Sequence, residues 1–178
     1  MTNNIYLIGM MGSGKSTIGE MLTRRIYYAF IDADDFLVER SDFKSINEIF
    51  SEKNEDYFRL LEKSTMKELS TVHKTVVATG GGVILKDENI KMMKASGVVI
   101  YLNSSIDTLV NRLKGSNNRP LLKDADLKKK LEGLYKARKE KYSEASDISI
   151  DIGNKEKEVI VDEIIKILAG EYNEYISD

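Results

Sequence analysis

The chain contains no cysteine, which excludes disulfides, thiolate metal sites and thiol nucleophiles together and makes a reducing, cytoplasmic setting the natural expectation. Its one histidine, His73, cannot build a metal cluster. No window approaches the roughly 20 apolar residues that a membrane-spanning helix needs, and no cationic start precedes a long apolar run, so neither a membrane segment nor an export signal is expected. An excess of one charge is missing too. With 27 Lys and Arg against 29 Asp and Glu, no basic field exists to attract nucleic acid or an anionic membrane. What remains is 178 residues of 42% hydrophobic composition, enough for one domain over residues 1–178 with a single substantial core. No linker rich in Pro, Gly and Ser divides it, and the only proline is Pro120.

Short β-branched or aromatic runs recur at residues 5–9, 28–32, 75–79, 98–102 and 147–152. Helical periodicity follows them, at residues 15–26, 55–72, 86–95, 105–114, 125–142 and 155–169. Strand and helix in alternation imply a mainly parallel sheet covered on both faces. The runs at 75 and 98 are apolar without alternation, as in strands buried on both sides, and are expected to form the centre of the sheet. One irregular polar stretch, GSNNRPLLKD at residues 115–124, has the length and composition of a lid.

The first strand runs into Gly9-Met10-Met11-Gly12-Ser13-Gly14-Lys15-Ser16, followed by Thr17. This is the phosphate-loop pattern G-x-x-x-x-G-K-[ST] in its required place between a strand and a helix. Glycines let backbone N–H groups turn inward around phosphate oxygens, and the helix N-terminus adds positive potential there. Lys15 would reach the β- and γ-phosphates of ATP, and the Ser16 hydroxyl would ligate Mg²⁺. A bare strand-to-helix turn needs the glycines but has no use for the Lys-Ser pair.

Asp32-Ala33-Asp34-Asp35 closes the second strand, where parallel sheets place ligand contacts. Read as extended backbone, Asp32 and Asp34 point the same way, one toward a metal's water shell and one toward an acceptor hydroxyl. The alternative is an N-cap cluster for a helix starting near Asp35. Only seven of the 27 basic residues are arginines, and Arg59, Arg112, Arg119 and Arg138 fall near loops or on helices that would face a cleft. Their planar fork suits carboxylate or phosphate, although for any single one a solvated helix face with an i,i+4 acid is the better explanation. Gly80-Gly81-Gly82 after the third apolar strand marks either close backbone approach to something or a plain turn.

Together, GMMGSGKST, DADDFLVER, SINEIF, EDYFRLLE, ATGGGVIL, RPLL and ARKEKYSEASD occur in an order that resembles the shikimate kinase family along nearly the whole chain. The phosphate loop is common to many unrelated ATPases, whereas FRxxE, GGG, RPLL and RxxxYxxA in sequence are far more specific. The resemblance implies an α/β three-layer P-loop fold with a five-stranded parallel sheet in the order 2-3-1-4-5, a lid at about residues 113–124 and a substrate-binding segment at about residues 33–61. It implies ATP and shikimate as substrates and Mg²⁺ as cofactor, in a monomer. Gly12, Ser13, Gly14, Lys15, Ser16 and Thr17 would hold nucleotide phosphates. Arg112 would stack on adenine and Arg119 would close from the lid. Arg59 and Arg138 would grip the shikimate carboxylate, Gly80, Gly81 and Gly82 would contact the substrate through their backbone, Asp34 would meet its hydroxyl and Asp32 would serve the metal. The chain departs from the family pattern at Asp42-Phe43 and Asn54, where glycine is common, and in lacking a proline after the last strand. A related kinase acting on gluconate or a nucleoside monophosphate would be favoured if Arg59 and Arg138 did not face one pocket.

Overall fold

The computed structural model describes residues 2–114 and 124–176. The expected lid and its Arg119 lie outside the described residues. β1 (Asn4–Ile8), β2 (Ala29–Asp32), β3 (Thr75–Ala78), β4 (Gly97–Asn103) and β5 (Ile148–Asp151) form one sheet in the order β2-β3-β1-β4-β5. Every pairing is parallel, as the alternation of elements requires. The central strand is β1, with β3 and β4 on its two sides, so the apolar runs at 75 and 98 flank the centre rather than form it. All five β1 residues are buried, which makes its burial pattern indistinguishable from that of β3; hydrogen-bonded order alone separates them.

Burial on both faces explains why these strands are continuously apolar. Tyr6 and Ile8 face one layer, where Met66, Leu69, Met93, Leu131 and Tyr142 cover them. Those side chains come from α4 (Glu55–Leu69), α5 (Asp87–Ser96) and α7 (Asp124–Ala145). Ile5 and Leu7 face the opposite layer, built by α1 (Lys15–Ile26) and α8 (Lys157–Glu171) with Ile18, Leu22, Ile160, Ile164 and Leu168. Only β5, at the edge, alternates buried and exposed residues. α6 (Ile106–Lys114) follows β4. No helix among the described residues is long and apolar enough to cross a membrane.

Two short helices, α2 (Ala33–Glu39) and α3 (Ile46–Glu52), lie between β2 and α4 over a small core of Leu37, Ile49 and Phe58. Side chains start each of them: Asp32 accepts from the Asp34 N–H, and Ser45 accepts from the Glu48 N–H. Asn54 caps α4 in the same way, accepting from the Tyr57 N–H at 2.9 Å. Its φ of −115° is extended, so the departure at this position introduces a cap and needs no left-handed backbone. Phe43 packs edge-on against Tyr57.

Candidate functional site

The phosphate loop joins β1 to α1 at the C-terminal edge of the sheet. Gly12 and Gly14 have φ of 80° and 86°, left-handed values that L side chains resist, and they bend the chain so that α1 begins at Lys15. Ser13 is buried, while Ser16 and Thr17 are exposed at the first turn of α1. The Lys15 ammonium donates to the loop's own carbonyls, Gly9 at 2.9 Å and Met10 at 3.1 Å. Burial pulls its pKa down to about 8, against the opposing pull of Asp34 and Asp32. Arg112, from α6, donates to the Ser13 carbonyl at 3.3 Å, which sets its guanidinium beside Gly14.

Only the first of the two acids, Asp32, sits on extended backbone, which was expected of both. Capping by Asp32 starts α2 at Ala33, so Asp34 is already helical. The capping and metal-serving readings of Asp32 prove compatible, because one carboxylate has two oxygens. Oδ1 accepts from the Asp34 N–H at 3.0 Å, while Oδ2 accepts from the Ser16 hydroxyl at 2.6 Å. Asp34 is half-buried, and burial followed by the charge of Asp32 raises its pKa, with Lys15 opposing. A carboxylate held with a raised proton affinity is suited to orienting a hydroxyl and taking its proton.

Glycine allows the third strand to pass close to these groups. A Cβ on Gly80 would lie 2.7 Å from Asp34 Oδ1, and one on Gly82 would lie 2.8 Å from Arg59 Cζ. The triplet therefore serves close approach. Arg59 projects from α4 and is clamped from its own helix: Nη1 donates to both oxygens of Glu62, at 2.9 and 3.0 Å, and Nη2 to Glu55 at 3.0 Å. Burial works against the Arg59 charge, and Glu62 and Glu55 more than restore it. Glu62 is itself buried, which raises its pKa, while Arg59 draws it down. Arg138 reaches in from α7 and donates through Nη1 to the Gly81 carbonyl at 3.1 Å.

One cavity of about 260 Å³ runs from Lys15, Ser16 and Asp32 to Arg59, Gly82 and Arg138. Arg59 and Arg138 thus face the same space. Phe50 and Phe58, with ring centroids 4.8 Å apart and planes tilted by 36°, add an apolar wall. Glu62 and Tyr142 were assigned no role from sequence. The i,i+3 spacing of Arg59 and Glu62 could have shown their pairing, whereas Tyr142 stood in the motif that begins at Arg138 with nothing to show that its hydroxyl donates to Gly81.

Chemically, a phosphate cradle opening onto a pocket with two arginines and the half-buried Asp34 defines a P-loop kinase for a small anionic alcohol. The family model for shikimate kinase matches residues 11–169, and the chain belongs to that family. A shikimate kinase of Microcystis aeruginosa is 48% identical over 142 residues, 80% of this chain and 74% of the other. One of Geobacter sulfurreducens is 42% identical over 90% of this chain and 88% of its own. Among solved structures, shikimate kinase from Acinetobacter baumannii in complex with shikimate superposes with a TM-score of 0.87, at 31% identity and 96% coverage of both chains. A gluconokinase from Sinorhizobium meliloti, at a TM-score of 0.65 and 20% identity, shares the fold.

Proposed function

We infer that the chain transfers the γ-phosphoryl group of ATP to the 3-hydroxyl of shikimate, giving shikimate 3-phosphate and ADP on the route to chorismate and the aromatic amino acids. One observation carries the choice of acceptor: Arg59 and Arg138, from different helices, line one small cavity with Asp34 and the glycine turn. Two guanidinium forks suit one carboxylate, and the acid suits a hydroxyl across the ring.

Catalysis in this reading is mainly positioning and charge neutralisation. Lys15 leaves the Gly9 and Met10 carbonyls to meet the β- and γ-phosphates, while Asp34 orients the acceptor hydroxyl and takes its proton. Arg59 and Arg138 hold the carboxylate so that this hydroxyl points at the phosphate loop. Arg112 stacks on adenine. Arg119 closes from the lid on the phosphates, and the lid keeps water from taking the phosphoryl group. Mg²⁺ fits the residues present, since Ser16 and Asp32 offer hard oxygen atoms beside the loop, and this ion takes one or two protein oxygens and fills its shell with water and phosphate. Ser16 would ligate it and Asp32 would hold its waters; when bound, it supplies charge neutralisation on the phosphates.

A coupled ADP-release assay with shikimate, gluconate and nucleoside monophosphates in parallel tests the acceptor. ADP release is expected with shikimate alone. Equal or faster release with gluconate would overturn the assignment.

A further inference from the structure

A buried tyrosine needs a partner for its hydroxyl, and the partner chosen by Tyr142 is informative. Tyr142 is fully buried in α7, and its ring stacks on Tyr101 of β4 with centroids 5.0 Å apart and planes 15° apart. From this fixed ring the hydroxyl donates to the Gly81 carbonyl at 2.5 Å, with the Met10 sulfur, a weak acceptor, 3.8 Å away. Burial pushes its pKa up to about 12, so across the working pH range the group keeps its proton. Arg138 stands one helical turn earlier and donates to the same oxygen at 3.1 Å.

A carbonyl oxygen has two lone pairs, and here a rigid and a flexible donor share them. Gly81 lies between two glycines, so no neighbouring side chain holds its peptide plane. The Gly80 and Gly82 carbonyls are tied to the Val83 and Leu85 N–H groups, which leaves the direction of the Gly81 carbonyl to the two side-chain donors. Of these, the tyrosine has two torsions, locked by stacking, whereas arginine brings a long stem. The tyrosine sets the oxygen, and the guanidinium follows it.

We propose that the Tyr142 hydroxyl is a positioning group for the acceptor pocket: it fixes the Gly81 carbonyl on which the Arg138 fork rests, so that the fork is aimed before a carboxylate arrives. The proposal rests on the reading of Arg138 as a carboxylate ligand. It adds a residue that does not line the cavity and acts on Arg138 from behind, through the shared Gly81 carbonyl and through its own hydroxyl contact with the guanidinium.

Tyr142→Phe keeps the ring and its stack and removes only the hydroxyl. The shikimate Kd, measured by calorimetry without nucleotide, is expected to rise about five- to ten-fold, with the ATP Kd and the kcat at saturating shikimate held within about two-fold. In an Arg138→Lys background the same substitution should change the shikimate Kd by less than about two-fold, because no fork remains to be aimed. Tyr101→Phe, whose hydroxyl bonds Asn103 at 2.9 Å, is the control for the stack and leaves all three constants alone. Equal losses of shikimate and ATP affinity, or a full-sized shikimate loss persisting in the Arg138→Lys background, would make Tyr142 merely structural and overturn the proposal. Unchanged shikimate binding in Tyr142→Phe also overturns it. If Arg138→Lys still weakens shikimate in that case, the acceptor reading survives; if Arg138→Lys too is without effect, that reading falls as well.

Discussion

Gly82→Ala is the sharpest perturbation of the acceptor pocket, because it adds one methyl group where there is no room. Gly82 has φ −103° and ψ 0°, which alanine also adopts, so the backbone itself offers no resistance. Taken alone, that would stabilise the fold by about 0.4–1 kcal/mol through the unfolded chain. The opposing effect is steric. The new Cβ would fall 2.8 Å from Arg59 Cζ, inside contact distance, and the guanidinium cannot retreat cheaply because Glu62 and Glu55 hold it through bonds of 2.9 to 3.0 Å. With side chains only 11% and 6% exposed for Arg59 and Glu62, a displaced pair recovers little from water. Loss of one charged hydrogen bond costs about 1.5–3 kcal/mol, more than the backbone gain. Gly82→Ala should therefore lower the melting temperature, and shikimate affinity should fall about ten- to a hundred-fold through the misplaced fork. ATP affinity should hold, since the hydrogen bonds of Arg59 run to Glu62 and Glu55 rather than to the phosphate loop. Calorimetry with each ligand and thermal unfolding measure all three. Replacing Arg59 by lysine first removes the atoms that clash, and Gly82→Ala should then cost little more. Wild-type shikimate affinity and melting temperature in Gly82→Ala would refute the claim that Arg59 is clamped in place.

Two further outcomes follow from the site. Only protonated Lys15 can neutralise phosphate charge, and its pKa in the folded protein is lowered to about 8, so kcat/KM for ATP should decline as pH rises through 8. Lys15→Arg, which keeps its proton beyond about pH 12, should lose that limb even if its rate is low, and an unchanged limb would clear Lys15 of responsibility. For stability the sign is opposite: between about 8 and 10.5 the unfolded chain binds the extra proton, so the Lys15 contribution favours the fold increasingly as pH rises. Arg138→Lys keeps the charge and loses the fork, and should weaken shikimate about ten- to a hundred-fold with ATP binding constant; equal shikimate affinity would return Arg138 to a solvated helix face.

Much of the fold was legible because it is written locally. Glycines at 12 and 14 followed by Lys15 and Ser16 specify a left-handed bend and then a helix, and α1 spans residues 15–26 as its periodicity predicts. All five strands fall within about two residues of their apolar runs, the usual uncertainty of element ends. α3 received no helical assignment and α2 only an alternative one, a helix starting near Asp35, since seven residues make barely two turns and leave periodicity little to act on. Their starts are decided by the caps Asp32 and Ser45, and the Asp32 cap is what turned an expected extended acid pair into a strand end and a helical residue.

Composition, the phosphate loop and the ordered short motifs thus determined by themselves the fold class, the family and the residue types at the site, because each depends on neighbours within a turn or a strand. The resemblance implied the strand order and a shared role for Arg59 and Arg138, but no local pattern carries either: hydrogen bonding in the sheet sets β1 at its centre, and packing brings the two arginines to one cavity from helices far apart in the chain. Tertiary packing also placed the Tyr142 hydroxyl on a carbonyl 61 residues away. Strand order and the stacking of Tyr142 on Tyr101 fix that contact, and neither has a signature in the residues that surround Tyr142 along the chain.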